Sequence, residues 1–455
     1  MMLLRNQYVK VIKILLSNNL TNKIFKNSSW LVIEKIINMF IGVFVTAIIA
    51  RYFGPELFGQ FNYAFALVTL FTAFSTLGLE TLTVKTIVDK EYDEGRILCT
   101  SLFLRVFGGI ILTIIAAIVI KIIEPNERNL HLLVLIMSFT MVVKSFEVIE
   151  YWIQAYQKSK ISSLIRIYVY ILTALLKIIV VIFSGNLFHL SLIYVIDGAV
   201  TGLALIIAYF KIRHDAAKWK LDMGYAKNIL SKSWYLILSG LMITLYMRID
   251  QVMLGAMMQD KAENGVFSAA VRIAEMWYFV PLAIITSFKP VILNTKKVDE
   301  VSYLRSIQLL YNIVTWLSIG FGVLVVLISK PVIKVLYGAE FSDAASILSI
   351  SIWAGTFAML GTARSIWLIS EGLQRYTMVY TFGGLVVNIV LNYILIPHFG
   401  AHGAAIATLA AQITANVIML SFFKNTRVST VMILRSFISL PIIRKSKLLG
   451  NSTKL

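Results

Sequence analysis

Apolar runs of about 20 residues or more recur twelve times along this chain of 455 residues, separated by short polar breaks. A helix needs about 20 residues to cross roughly 30 Å of hydrocarbon, and a backbone in lipid must satisfy its own hydrogen bonds. Each run is therefore expected to be a membrane-spanning helix, at residues 29–50, 57–84, 97–120, 130–156, 161–183 and 187–210, then 233–256, 265–288, 304–328, 341–369, 376–396 and 403–423. The chain is 58% hydrophobic and only 14% charged, and its longest loop, Lys211 to Lys232, has about 22 residues, too few for a soluble domain. The expected fold class is an all-α integral membrane protein of about twelve transmembrane helices.

Lys and Arg beside membrane spans are retained in the cytoplasm. With the N-terminus inside, the cytoplasmic segments hold about 29 of the 42 Lys and Arg, among them Lys10, Lys13, Lys23, Lys26, Lys211, Arg213, Lys218, Lys220, Lys296, Lys297, Arg444 and Lys445, and the outer loops about six. Both termini are thus expected in the cytoplasm. The formal charge of +19 is accounted for by this topology and by contact with anionic headgroups, so no nucleic-acid partner is expected. The basic stretch Met1 to Asn27 has apolar positions at helical spacing and lacks a small-residue cleavage site, which predicts an interfacial helix and not a signal peptide.

The two halves echo each other. Trp30 opens the first span and Trp234 the seventh, and about 30 residues on stand Phe58-Gly59-Gln60-Phe61 and Asn264-Gly265-Val266-Phe267. Trp152 precedes Gly185 by 33 residues, as Trp367 precedes Gly400. A duplicated unit of six spans gives parallel repeats, hence two six-helix bundles related by a pseudo-two-fold axis along the membrane normal, with a cleft exposed alternately to the two sides. The expected division is 1–28 as an interfacial N-terminus, 29–210 as the first bundle, 211–232 as a cytoplasmic linker, 233–423 as the second bundle and 424–455 as a basic cytoplasmic tail.

Charges inside spans are expensive and mark transport paths. Arg248 with Asp250 in the seventh span, and Arg272 with Glu275 in the eighth, lie about 10 to 12 Å below the outer boundary at 1.5 Å rise per residue. Glu275 shares a helix face with Arg272, whereas Arg248 and Asp250 point in different directions. Two readings stand side by side. The four residues neutralise one another across the helices, or at least one guanidinium is left to meet a phosphate, whose oxygens its planar fork matches. Lys177 and Asp197 are expected to pair across the fifth and sixth spans, with ion coupling as the other reading of Asp197, Asp250 and Glu275. Lys144, Glu147 and Glu150 form a polar stripe on the fourth span. Glu34, Lys35 and Arg105 are candidates for the same passage, although Lys35 also has the reach to snorkel to the interface.

Several chemistries find no residues to perform them. There is no phosphate-binding G-x-x-x-x-G-K-[ST] and no G-x-G-x-x-G, so no nucleotide engine is expected. The lone Cys99 excludes an intramolecular disulfide, and His398 and His402 have no third ligand nearby, so no metal centre and no cofactor beyond a coupling H+ or Na+ is expected. No catalytic motif points to an enzyme.

The run YMRIDQVMLGAM, followed by NGVFSAAVRIAEMWYFVPLAIITSFKP, resembles the seventh and eighth spans of Wzx-type polysaccharide flippases, and FGPELFGQFNYAFALVTLF with its downstream GLE resembles their first loop and second span. These belong to the superfamily of multidrug, oligosaccharidyl-lipid and polysaccharide exporters (MATE-like), with twelve or fourteen spans in two bundles. The resemblance implies a bacterial inner-membrane carrier that moves an undecaprenyl-pyrophosphate-linked sugar repeat unit to the periplasmic leaflet for O-antigen (lipopolysaccharide) or capsule, with a polysaccharide polymerase and a chain-length regulator as partners. The family's basic lumen would correspond to Arg248 and Arg272, with Asp250 and Glu275 as acidic companions; the roles of Glu34, Lys35, Arg105, Lys144 and Lys177 rest on this chain alone. The alternatives are a cation-drug antiporter, which would favour unpaired acids, a lipid-linked peptidoglycan precursor flippase, and a membrane glycosyltransferase or ligase, for which no outer loop is long enough.

Overall fold

The computed structural model describes residues 19–213 and 218–439. Among these the chain is helical throughout. The helices are α1 (Asn19–Ser75), α2 (Leu79–Asp89), α3 (Glu94–Ile123), α4 (Arg128–Ala155), α5 (Ser159–Ile182), α6 (Leu187–Ile212), α7 (Met223–Met257), α8 (Ala262–Lys296), α9 (Glu300–Tyr337), α10 (Ala344–Ser370), α11 (Arg375–Phe422) and α12 (Arg427–Ile438). A 3₁₀ turn at Lys144–Glu147 interrupts α4, and a π stretch at Thr414–Ile418 interrupts α11.

Ten helical stretches are long and apolar enough to cross a membrane, and two of them, Ile33–Asp89 with 57 residues and Arg375–Phe422 with 48, are far too long for one crossing. Each is broken by a glycine with positive φ: Gly54 at φ 71° and Gly400 at φ 51°. That backbone region is nearly closed to residues with a Cβ. At Gly400 the chain folds back on itself: Gly384 and Ala415, nearly equidistant from Gly400 in sequence, pack so closely that a methyl on Gly384 would lie 2.7 Å from the Ala415 Cβ. Counting these two stretches as paired crossings brings the number to the expected twelve.

The described residues form two compact units. The first runs to Phe53 and resumes over Gln60–Thr244; the second holds Gly54–Gly59 and everything from Leu245 onward. The first unit has a core of Leu79, Ile97, Trp152, Leu205, Tyr209 and Tyr225, and the second a core of Tyr303, Tyr311, Trp367, Tyr380 and Leu420. The stretch expected as a linker belongs to the first unit. Its Lys218–Asp222 segment sits on α3, where a methyl on Gly95 would lie 2.4 Å from the Lys218 carbonyl oxygen, and the Asp222 amide donates to Thr100 Oγ1 at 3.0 Å.

Local structure repeats where the tryptophans repeat. Five residues beyond Trp152 and Trp367, Gln157 (φ 53°) and Gly372 (φ 68°) turn left-handed. Lys158 N then donates to the Ile153 carbonyl at 2.9 Å, and Leu373 N to that of Leu368 at 2.7 Å. Both are Schellman-type helix ends. The tail is not a free appendage as far as it is described, because α12 packs into the second unit: Ser436 Oγ meets Thr315 Oγ1 at 2.7 Å, Ser429 Oγ meets Tyr311 Oη at 3.0 Å, and Ile433 is wholly buried. The interfacial helix expected before Asn19, and Arg444 and Lys445 of the tail, lie outside the described residues; from Asn19 the chain runs unbroken into α1.

Candidate substrate and coupling site

In the second unit the four charges singled out by the sequence do not neutralise one another. Asp250 is buried at 5% exposure, and its partners are neutral: Asn388 Nδ2 and Asn392 Nδ2 donate to its Oδ1 at 2.8 and 2.6 Å, and Thr408 Oγ1 donates to Oδ2 at 2.6 Å. Asn388 and Asn392 are four apart and share a face of α11, while Thr408 stands on the arm that returns after Gly400. The hairpin thus closes around a carboxylate carried by α7, with no ion pair to it among the described residues. The Asn392 Oδ1 is buried without a partner in this cage.

Arg248, two residues away and therefore on another face of α7, is half-buried and makes only a long contact of Nη1 to Gln251 Oε1 at 3.4 Å. Gln251 in turn donates to Ser268 Oγ on α8 at 3.1 Å. Arg272 is exposed and Glu275 half-buried. No guanidinium–carboxylate bridge links Arg248, Arg272, Asp250 and Glu275 in any combination among the described residues, so the cross-helix pair considered from the sequence does not form. Asp250 is drawn into the asparagine cage and so is not available to either arginine.

A fifth charge was missed. Arg364 of α10 is 3% exposed, donates from Nη1 to the Ala415 carbonyl at 2.9 Å, and lies with Cζ 4.9 Å from the Tyr380 ring centre. Its acceptor belongs to the π stretch of α11, whose widened turn presents that carbonyl. The signal was visible in the sequence as the lone charge within MLGTARSIWLIS.

The first unit gathers its charges differently. Arg166 of α5 binds Glu150 through Nη2 and through Nε, the latter at 3.3 Å, and reaches Glu147 at 3.7 Å. The Glu34 carboxyl lies beside Ser163, within electrostatic reach of Arg166 and Glu150. Glu34 therefore joins the stripe of the fourth span, while Lys35 faces outward, exposed. The stem of Lys144 packs on Gly198. Arg105 is buried and donates from Nη1 to the Tyr151 hydroxyl at 3.0 Å, with no acid bound among the described residues. Arg166, the hub of this group, was also missed.

The expected Lys177–Asp197 pair is corrected. Lys177 Nζ sits 4.3 Å from the ring centre of Tyr194, which packs against Phe61 and Phe65, and Asp197 accepts from Thr173 Oγ1 at 3.3 Å. An aromatic face three residues before Asp197 takes the cation, and the carboxylate bonds Thr173 instead.

Residues 24–296 match the family described as polysaccharide biosynthesis protein. The chain belongs to that family. Among curated relatives of this family member is the capsular polysaccharide biosynthesis protein CapF of Staphylococcus aureus, 22% identical over 88% of this chain and 99% of its own length. Another is the probable low-salt glycan biosynthesis flippase Agl15 of Haloferax volcanii, 23% identical over 54% of this chain and 51% of its own. Among solved structures, the lipid II flippase MurJ in an inward closed conformation aligns with a TM-score of 0.69 at 16% identity, covering 89% of this chain and 90% of that one. An inward-facing MATE-family multidrug transporter aligns at 0.68, also at 16% identity, over 89% and 94%. At such identities the likeness is one of fold, and it makes this family member a multi-pass membrane protein of MATE-like architecture.

Proposed function

We propose that this chain is a flippase that carries an undecaprenyl-pyrophosphate-linked oligosaccharide, a repeat unit of O-antigen or capsule, from the cytoplasmic to the periplasmic leaflet of a bacterial inner membrane, with both termini in the cytoplasm. The observation that carries the reading is that Arg248 and Arg272, within membrane-spanning helices, hold no carboxylate among the described residues. A guanidinium at that depth needs an anion or water, and a pyrophosphate offers oxygens at the spacing of its fork. The names of CapF and Agl15 support a glycan cargo. Alternating access of two six-helix halves would keep the sugar and pyrophosphate out of hydrocarbon while the prenyl tail stays in lipid. A polymerase and a chain-length regulator would take the product.

The same reading assigns coupling, where it is used, to Asp250. A buried carboxylate served only by neutral donors leaves an uncompensated charge that a proton or a sodium ion would remove. A cation-drug antiporter would find an unpaired acid in Asp250, but the glycan names of CapF and Agl15 favour the lipid-linked sugar.

The test is complementation of a strain lacking the gene. Arg248→Ala and Arg272→Ala, inserted at normal levels, are expected to abolish surface polysaccharide and to leave lipid-linked repeat units on the cytoplasmic side, with Lys at either position restoring part of the export. Normal export by both alanine variants removes the arginines from the mechanism.

A further inference from the structure

A cavity of about 250 Å³ opens in the first unit, far from Arg248 and Asp250 in sequence and made by different helices. Its wall is apolar throughout and includes Leu102 of α3, Ile149 of α4, Ile206 and Phe210 of α6, and Trp219. Ile206 stands about 9 Å before the end of α6 and Leu102 about 12 Å inside α3, by helix rise, so the cavity reaches from the membrane surface into the hydrocarbon layer. No polar atom of its wall faces the cavity, so it offers water nothing to bond to.

The mouth has the opposite chemistry. The stretch 211–220 carries four Lys and Arg against one Asp. Lys211, Lys218 and Lys220 are exposed, and none of them, nor Arg213, forms an ion pair among the described residues. The Arg213 guanidinium sits at the rim with Cζ 4.5 Å from the Phe210 ring centre and 5.7 Å from that of Tyr209. The Tyr209 hydroxyl engages part of the guanidinium, and its remaining N–H groups are left for an anion. The acids nearby are already engaged: Glu94 accepts from Trp152 Nε1 at 2.7 Å and from Tyr156, and Asp222 accepts from Tyr225 N at 2.9 Å and faces Arg96 at 3.9 Å.

From an apolar slot at hydrocarbon depth beneath a rim of cations that form no ion pair among the described residues, we infer that this pocket binds a resident anionic phospholipid. One acyl chain lies between Leu102, Ile206 and Trp219, and the phosphate sits on Arg213 with Lys211 or Lys218. The site is built rather than incidental, because the wall residue Trp219 is on the segment pinned to α3 through Gly95 and Thr100. Its ring centre stays 6.1 Å from that of Tyr209. The bound lipid would therefore brace the segment that leads into α7. This inference does not depend on the cargo proposed above.

The experiment uses the full-length protein. Wild type, Arg213→Gln and Ile206→Trp are titrated with palmitoyl-oleoyl phosphatidylglycerol or the matching phosphatidylcholine, and native mass spectrometry counts the lipid retained. Wild type is expected to retain one phosphatidylglycerol more tightly than phosphatidylcholine. Arg213→Gln should weaken that lipid about fivefold, the effect of about one surface charge, and leave phosphatidylcholine unchanged. Ile206→Trp, which fills the slot, should lose the tight site. Arg213 is outside the packed core, so its variant reads the site even where Ile206→Trp fails to fold. Equal retention of the two lipids by wild type, or full retention of phosphatidylglycerol by Arg213→Gln, overturns the inference. So does displacement of phosphatidylglycerol by decaprenyl phosphate at lower concentration than by phosphatidylglycerol itself, which would make the pocket a site for the transported class of lipid.

Discussion

Gly59 and Gly265 pack backbone against backbone: a methyl on Gly59 would lie 1.7 Å from the Lys261 carbonyl oxygen, and one on Gly265 2.0 Å from that of Pro55. The side chain of Asn264 seals the contact, donating to the Gly59 carbonyl at 3.2 Å from a fully buried position. Close approach of this kind is how membrane helices gain packing energy where lipid supplies no hydrophobic drive. The two glycines are the same position of the two sequence echoes, so the duplicated motif meets its own copy.

No flexible side chain stands in the way of those methyls, only backbone, and backbone has to move. Gly59→Ala and Gly265→Ala are each expected to destabilise the protein by about 3 kcal/mol, the upper range of overpacking. Thermal denaturation of the purified variants in detergent checks this, and a loss below about 0.5 kcal/mol, the noise level of a surface substitution, contradicts the contact.

Gly400 carries a second constraint. Its positive φ costs an L-residue about 1 to 2 kcal/mol, and a Cβ there would lie 2.5 Å from Glu263 Oε2. That carboxylate accepts from the Ala401 amide at 2.7 Å and so caps the returning arm. Gly400→Ala should lower the melting temperature more than Glu263→Ala, for which the loss of a cap predicts about 1 kcal/mol.

Arg166 holds Glu150 and Glu147, with Glu34 close by. Arg166→Gln leaves acids without their cation, and because the arginine side chain keeps 31% exposure the expected cost is about 2 kcal/mol, below the figure for a fully buried pair. Adding Glu150→Gln should restore at least half of it. A double variant no more stable than the single one would show that the cluster is not electrostatically coupled.

Asp250→Asn preserves size and removes the charge, leaving one oxygen to accept from Asn388 and Asn392 and an amide to donate to the Thr408 hydroxyl. If Asp250 couples transport to an ion, uptake of fluorescent lipid-linked sugar in proteoliposomes should lose its dependence on proton and sodium gradients, a fall of about 5- to 150-fold in the gradient-driven component. Unchanged gradient dependence assigns coupling elsewhere.

At the start of α9 the Asp299 carboxylate accepts from the Val301 and Ser302 amides at 3.3 and 2.9 Å, and the Ser302 bonds hold its carboxyl below the usual range. A depressed carboxyl stabilises the folded helix end above its unfolded value, about 3.9, and loses that contribution as pH falls through the folded value. Exchange at the Val301 and Ser302 amides should therefore be protected at neutral pH and rise on acidification below about pH 4 beyond its intrinsic trend. Asp299→Ala should remove the pH-dependent part.

The helices were legible because each must satisfy its own backbone in lipid, so apolar run length reads directly as a span; even the breaks at Gly54 and Gly400 fell in the expected gaps. The charges were legible as positions and not as partners. The charges at 248, 250, 272 and 275 looked able to pair across two helices because they lie at similar depth, as did Lys177 and Asp197. Arg166 and Arg364 escaped notice because one charge in an apolar span carries no sign of what it touches.

The sequence by itself determined an all-helical membrane chain of about twelve crossings, a duplicated motif, and the resemblance to a polysaccharide carrier, since length, hydropathy and motif spacing are properties of a chain read in order. Only the tertiary structure decided which charge is neutralised. Whether an arginine meets a carboxylate, a ring or a backbone oxygen depends on side chains from helices far apart in sequence, and a rotation of about 100° per residue separates Arg248 from the asparagine cage that takes Asp250.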